Sequence, residues 1–254
     1  MPEAILKWAR ALAFPLAVLA ALEVYARTIA INSDALAPPT QAAQAFLQAV
    51  SDGSLLAATG FTLLGAGLGL LVAAVLGIAL GILLGLSRHA AQTSFLSVEI
   101  FRTIPSVALI PLAMLIFGFG INMEVSVVAF ATVWPILILT QTAVRQIEPA
   151  LLEVARALDL SPSARIAKII VPAMLPRLFV ALRLAVAIAL VVAVTVEIVA
   201  NPYGMGYAIM IAQQSMEPAL MLAWLLWIAL VGYIVNEAAL RLQHFVARRM
   251  GAMP

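Results

Sequence analysis

Long apolar stretches alternate with short polar segments along the chain, near 8–30, 59–86, 103–120, 124–143, 178–200 and 219–240. Each is close to the roughly 20 residues that an α-helix needs to cross a bilayer. The third and fourth are separated only by Gly118-Phe119-Gly120-Ile121-Asn122-Met123, a tight turn. This pattern predicts an all-α polytopic protein with six transmembrane helices in a single membrane domain.

Within the spans, finer patterns suggest how the helices are used. The second carries Gly65, Gly69, Ala73, Gly77, Gly81 and Gly85, a small residue at every fourth position. Such a row lets another helix backbone approach closely, from the same chain or from a second copy. Pro105 and Pro111 lie in the third span, where each removes a backbone donor and tends to kink a helix. They mark a bent helix, and with Thr195 and Glu197 near the outer end of the fifth span they are candidates for a pathway or gate. The plainer reading of Glu197 is a satisfied structural acid near the interface, because an unpaired carboxyl at that depth is costly.

One polar stretch breaks the rhythm, QTAVRQIEPALLEVARALDLSPSARIAKIIVPAMLPR from Gln141 to Arg177. Pro149 can start a helix with Leu151, Leu152, Ala155 and Leu158 on its apolar side. A break is expected around Asp159-Leu160. Ser161 is then a suitable N-cap with Pro162 at the first helical position, opening a second helix with Ile166, Ile169 and Ile170 before Pro172 and Pro176. Two short helices at an angle would leave Glu153, Arg156 and Asp159 exposed near the elbow.

Composition agrees with a lipid environment. Hydrophobic residues make up 65% of the 254 and charged residues 10%, with mean hydropathy +1.11; a soluble domain could not hide so much apolar surface. There is no cysteine, so disulfides are excluded, and a net charge of +2 gives no argument for a nucleic-acid partner. The distribution of charge matters more. Lys7, Arg10, Arg88, Arg102, Arg145, Arg156, Arg165, Lys168, Arg177, Arg183, Arg241, Arg248 and Arg249 fall on one side of the six spans, and of the basic residues only Arg27 falls on the other. Asp34, Asp52, Glu124 and Glu217 accompany Arg27. The positive-inside rule then places both termini in the cytoplasm. Lys7 and Arg10 before an apolar core, with Val24-Tyr25-Ala26 behind it, also resemble a cleavable signal; the segment is read as a retained first span, and the other five keep their orientation either way. Outside, Pro38-Pro39 would stop one helix and Thr40 cap another over 41–50, with Ala42, Ala45, Phe46 and Ala49 on its apolar face.

The polar insertion resembles the "EAA" signature of permease subunits of type I ABC importers: Glu153-Val154-Ala155, then Asp159 at the glycine position, Ile169, and Val171-Pro172 closing it. APPTQAAQAF, GIALGILLGLSR, RTIPSVALIPLAMLIFGFG and GMGY are similar to the branch that handles nitrate, taurine and alkanesulfonates. Val154 departs mildly from alanine. Asp159 departs from glycine, although aspartate also tolerates turn and left-handed conformations. The resemblance covers roughly residues 36–250 and implies the type I importer permease fold, with 1–254 as one membrane domain and a cytoplasmic two-helix coupling loop over 144–177. It also implies a bacterial inner-membrane location and a pore of two copies, served by two cytoplasmic ATPase subunits and an external solute-binding protein. Glu153, Val154, Ala155, Arg156, Asp159, Leu160 and Ser161 would form the ATPase-coupling surface, and Ile169 and Pro172 would hold the second helix to the bundle.

No phosphate-binding G-x-x-x-x-G-K-[ST] loop occurs in the chain, so ATP and magnesium are expected on the partner ATPase, with no cofactor, metal or catalytic residue here. His89 and His244 lack a metal-ligand pattern. The expected cargo is a small anion such as a sulfonate, taurine or nitrate. An ion-coupled secondary transporter is the alternative; it would want ionisable residues mid-membrane and would leave the polar insertion unexplained.

Overall fold

The structure is a computed structural model that describes residues 2–29 and 36–249. Among these the regular elements are all helical. α1 (Pro2–Thr28) leads to α2 (Pro39–Ser51), α3 (Ser54–Leu86), α4 (Arg88–Thr103), α5 (Ile110–Phe117) and α6 (Ile121–Arg145). Then come α7 (Pro149–Ala157), α8 (Pro162–Arg165), α9 (Val171–Val199), α10 (Gly204–Gln214) and α11 (Pro218–Arg249). Among the described residues, four continuous helices are long and apolar enough to cross a membrane: Ser54–Leu86, Ile121–Arg145, Pro162–Val199 and Pro218–Arg248. The pair Arg88–Thr103 and Ser106–Phe117 makes a fifth candidate, bent by 86°. α1 is 27 residues long and ends close to the predicted first span.

The row of small residues on α3 meets α6 of the same chain. A Cβ added at Gly69 would lie 2.6 Å from Val128, at Gly77 2.9 Å from Ile136, at Gly81 2.6 Å from Thr140 and at Gly85 2.6 Å from Val144. Ala73 and Thr132, in the same register, are both fully buried. Contact therefore repeats every fourth residue on both helices, with numbers rising together, so α3 and α6 run parallel. Parallel packing over Gly65 to Gly85 spans about 30 Å at 1.5 Å per residue. The intervening chain must climb back over that length.

That return is the bent pair: it has the bend expected of the third span, but it starts at Arg88, well before the expected 103–120. α4 was not foreseen; it begins at the end of α3, and its Phe101 stacks on Trp134 partway along α6 at 6.2 Å between ring centres. The chain breaks at Ile104-Pro105, where both residues are extended. A short 3₁₀ turn, Ser106–Leu109, then feeds α5, whose Ile110 and Ala113 pack with Met123, Val127, Ala189 and Ala193. Pro105 thus marks a break, but Pro111 does not kink anything. It sits in the first turn of α5, where a missing N–H costs nothing.

At the end of the bundle where α3 begins, α2 lies on α11, with Phe46 against Trp227 at 5.8 Å and Ala42 and Ala49 buried. Its N-cap is Pro38, not Thr40. Thr40 instead donates its N–H and hydroxyl to the Glu23 carboxylate, tying α2 to α1. Asp52 accepts the Ser54 N–H at 2.8 Å, which holds its carboxyl below the ordinary range, and Gly53 at φ 78° turns the chain into α3.

Candidate functional site: an elbow at one end, a buried carboxyl pair at the other

The polar insertion folds as a helix, a tight turn and a second helical start. α7 ends in a Schellman motif. The Leu160 N–H donates to the Ala155 carbonyl at 3.1 Å and the Asp159 N–H to that of Arg156 at 3.0 Å, while Asp159 takes φ 47°. That is the left-handed position usually filled by glycine, so the aspartate adopts the geometry that the signature glycine would supply. Ser161 then caps the next turn, its hydroxyl accepting the Ala164 N–H at 3.3 Å, with Pro162 at its start.

The second helix is not a separate short piece. α8 passes through a π turn, Ile166–Ile170, and continues unbroken as α9, so that Pro162–Val199 forms one 38-residue helical stretch. The wider π turn has a physical cause. Pro172 has no N–H to give the carbonyl four residues back, and its ring would press on that carbonyl in a regular α-helix. The elbow is consequently a direct extension of a spanning helix.

Anchoring of the elbow also differs from expectation. Ile170 and Met174, with 0% and 1% exposure, pack with Ala143, Val144, Ile147 and Leu178, and Leu152 and Ile166 close over them. Ile169 is only half-buried and Pro172 is exposed, so neither is the anchor. On α7, Ala155 is buried, while Glu153, Val154, Arg156 and Asp159 are exposed and Leu160 is half-buried. Leu151 and Leu158, read from sequence as inward, are exposed with Val154. Spaced at i, i+3 and i+7, they form an apolar stripe on the outward side. Their outward orientation depends on the rotation of α7 on the bundle, which the local pattern does not encode.

The opposite end holds a buried polar cluster that the sequence reading only touched. Glu124 and Glu197 are both fully buried and Asn201 is 1% exposed. The Asn201 side-chain amide donates to Glu124 at 2.7 Å. The Gly206 N–H donates to Glu197 at 2.8 Å, and the Met205 N–H donates to the Thr62 hydroxyl at 3.0 Å. These bonds lock the start of α10, another helix not foreseen, against α3 and α9. Gly65 and Gly204 leave room for the carboxyls, since a Cβ at either would fall on a carboxylate oxygen. Glu197 is buried and bonded to the Gly206 N–H, and the Thr195 hydroxyl donates to the Val191 carbonyl of its own helix. Glu124, counted by sequence among the charges of the outer side at the start of the fourth span, is the larger miss. Its one signal was position: it continues the series Val128, Thr132, Ile136, Thr140 and Val144 that faces the small-residue row.

Residues 73–252 match the family described as binding-protein-dependent transport system inner membrane component. The chain belongs to this family. It is the multi-pass permease component of an importer of the ABC class, and the relatives are transport proteins, not enzymes. The permease is 30% identical to SsuC of Bacillus subtilis, a permease provisionally assigned to aliphatic sulfonates, over 91% of this chain and 83% of that one. It is 32% identical to the bicarbonate transport permease CmpB of Synechococcus elongatus over 72% and 66% of the two chains. With the nitrate import permease NrtB of Leptolyngbya laminosa it shares 30% over 72% and 64%. The fold is that of the MetNI methionine ABC transporter in an inward-facing conformation, with TM-score 0.66, 22% identity, and coverage of 74% of this chain and 94% of that one. It also matches an amino acid ABC transporter crystallised with histidines, at TM-score 0.63 and 17% identity over 80% and 98%.

Proposed function

We propose that the permease carries a small oxyanion across the bacterial inner membrane by alternating access, driven by ATP hydrolysis on a separate cytoplasmic subunit. The observation that carries this reading is the elbow. A spanning helix is extended without interruption into an exposed knuckle, so displacement of the knuckle is transmitted to α9 as a rigid lever. The outward stripe of Leu151, Val154 and Leu158, flanked by the exposed Glu153 and Arg156, has the makeup of a docking face, with an apolar centre and a charged rim. Glu153 would pair with a basic group on the ATPase. The clustering of Lys and Arg at this end supports a cytoplasmic elbow.

In the full reading the chain is one permease domain with six spans, α1 being the first and the bent α4–α5 pair the third. Both termini are cytoplasmic. Two copies form the pore, two ATPase subunits hold ATP and magnesium, and an external binding protein delivers cargo to the end bearing α2 and α10. The relatives carry sulfonates, bicarbonate and nitrate, all small oxyanions, which supports that class for this permease.

The test is Glu153→Arg in the reconstituted transporter, followed by ATP-driven uptake and by pull-down of the ATPase. Loss of both, with normal membrane insertion, is the expected result. Full uptake by the assembled variant complex would refute the assignment.

A further inference from the structure

Where the ends of α3 and α6 meet the start of α4 and the elbow, a cavity of about 600 Å³ is lined by Arg88, Gln92, Arg145 and Arg165, with Leu152 and Ile147 among its apolar walls. At about 30 Å³ per water, this is room for a hydrated small ion. No aspartate or glutamate lines it. The ion pairs among the described residues are Arg27–Glu23, Arg102–Glu99 and Arg241–Glu237, and none involves these arginines. Glu99, in the adjoining cavity that Arg145 also borders, is occupied by Arg102 at 2.7 Å. Arg145 gives one bond to the Leu84 carbonyl at 3.4 Å. The Arg165 Nε–H is buried with no acceptor.

Guanidinium groups do not deprotonate in proteins. Lysines in this position could shed charge; three arginines cannot, and although Arg88 and Arg145 are exposed, an anion among the three would offset their like charge and accept from the buried Arg165 Nε–H. Arg88 also opens α4, whose N-terminal end carries the positive pole of the helix dipole. We propose that this cavity is an oxyanion site, taking a sulfate- or phosphate-type group either as a free ion or as the headgroup of an anionic lipid. Arg88 and Arg145 belong to the bundle and Arg165 to the elbow. An oxyanion held between them adds a polar tie between elbow and bundle to the apolar anchor of Ile170 and Met174, and its departure removes that tie. The site stands apart from the transport reading, and its test involves no transport.

The chain has no cysteine, so Gln92→Cys in the full-length protein gives a single reporter inside the cavity. Its rate of alkylation by a neutral maleimide is measured in phosphatidylcholine nanodiscs, with sulfate or with chloride at matched ionic strength. The measurement is repeated in phosphatidylglycerol nanodiscs with chloride. Sulfate is expected to slow the reaction roughly tenfold at about ten times its dissociation constant, and Arg165→Gln or Arg88→Gln to abolish the effect. Slowing by phosphatidylglycerol alone supports the site with lipid as the source. Equal rates in all three conditions overturn the proposal, as does protection that survives both arginine substitutions. Protection that requires an added ATPase also overturns it, in favour of a protein contact. A thermal scan checks each variant's fold, and exposed Arg88 carries the test if Arg165→Gln does not fold.

Discussion

Gly81→Ala adds a single methyl group to a spanning helix, and the structure sets its cost. The new Cβ would lie 2.6 Å from the Thr140 Cβ and 2.8 Å from the Leu137 carbonyl oxygen. Ordinary contact between carbons is about 3.5–4.0 Å, so α3 and α6 must separate locally by about 1 Å. Neither obstacle can swing aside, because one is the root of a side chain and the other is backbone. Overpacking of this kind costs about 1–3 kcal/mol, against a gain of up to about 1 kcal/mol from replacing glycine in a helix. The net is a loss of up to about 2 kcal/mol, a few degrees in unfolding temperature for a chain of this size. Gly67→Ala is the matched control: it lies on the same helix with nothing within 4 Å of its added Cβ, so it receives the propensity gain alone. The assay is thermal unfolding of both purified variants in the same detergent. Equal unfolding temperatures for the two would refute the claim that the glycine row works by close approach to α6.

Asp159→Gly should leave elbow stability unchanged or improved, whereas Asp159→Val should lose about 1–2 kcal/mol from forcing a β-branched residue into the left-handed region; limited proteolysis of residues 149–165 reads the difference. Asn201→Ala removes the amide that Glu124 accepts and should destabilise the fold by about 1–3 kcal/mol, measured by the same thermal scan as Gly81→Ala. Leu158→Ser, on the exposed stripe, should lower ATPase binding and coupled uptake severalfold with little change in unfolding temperature; a large fall in stability would show that Leu158 is a core residue after all.

Much of the elbow was legible because its signals are local. A proline start, an αL-tolerant residue at the turn and a Ser-Pro restart act within a few residues of one another, and Asp159, Ser161 and Pro162 do what short-range chemistry predicts. The straight second helix of the elbow was not legible. Pro172 and Pro176 argue for an ending, and only a π turn one step earlier lets the helix run on. The third span was legible in part: Pro105 marked its bend, but the helical path of α4 before that bend depends on what α6 offers for packing. α10, with Met205, Ile209 and Ala212 buried, was too short and too mildly patterned to stand out between Asn201 and Pro218.

Apolar run length, basic-residue asymmetry and the every-fourth small residue by themselves determined a membrane-embedded helical chain, its expected orientation, a close helix contact and an exposed knuckle. Each follows from solvent or local sterics, which act on the chain residue by residue. The tertiary structure alone decided that the partner of the glycine row is α6 and that Glu124 and Glu197 are sealed inside. It also decided that Leu151 and Leu158 face out and that Arg88, Arg145 and Arg165 share one cavity. These facts join residues far apart in the chain, and they depend on helix rotation and register, which are set by packing and leave no mark on local periodicity.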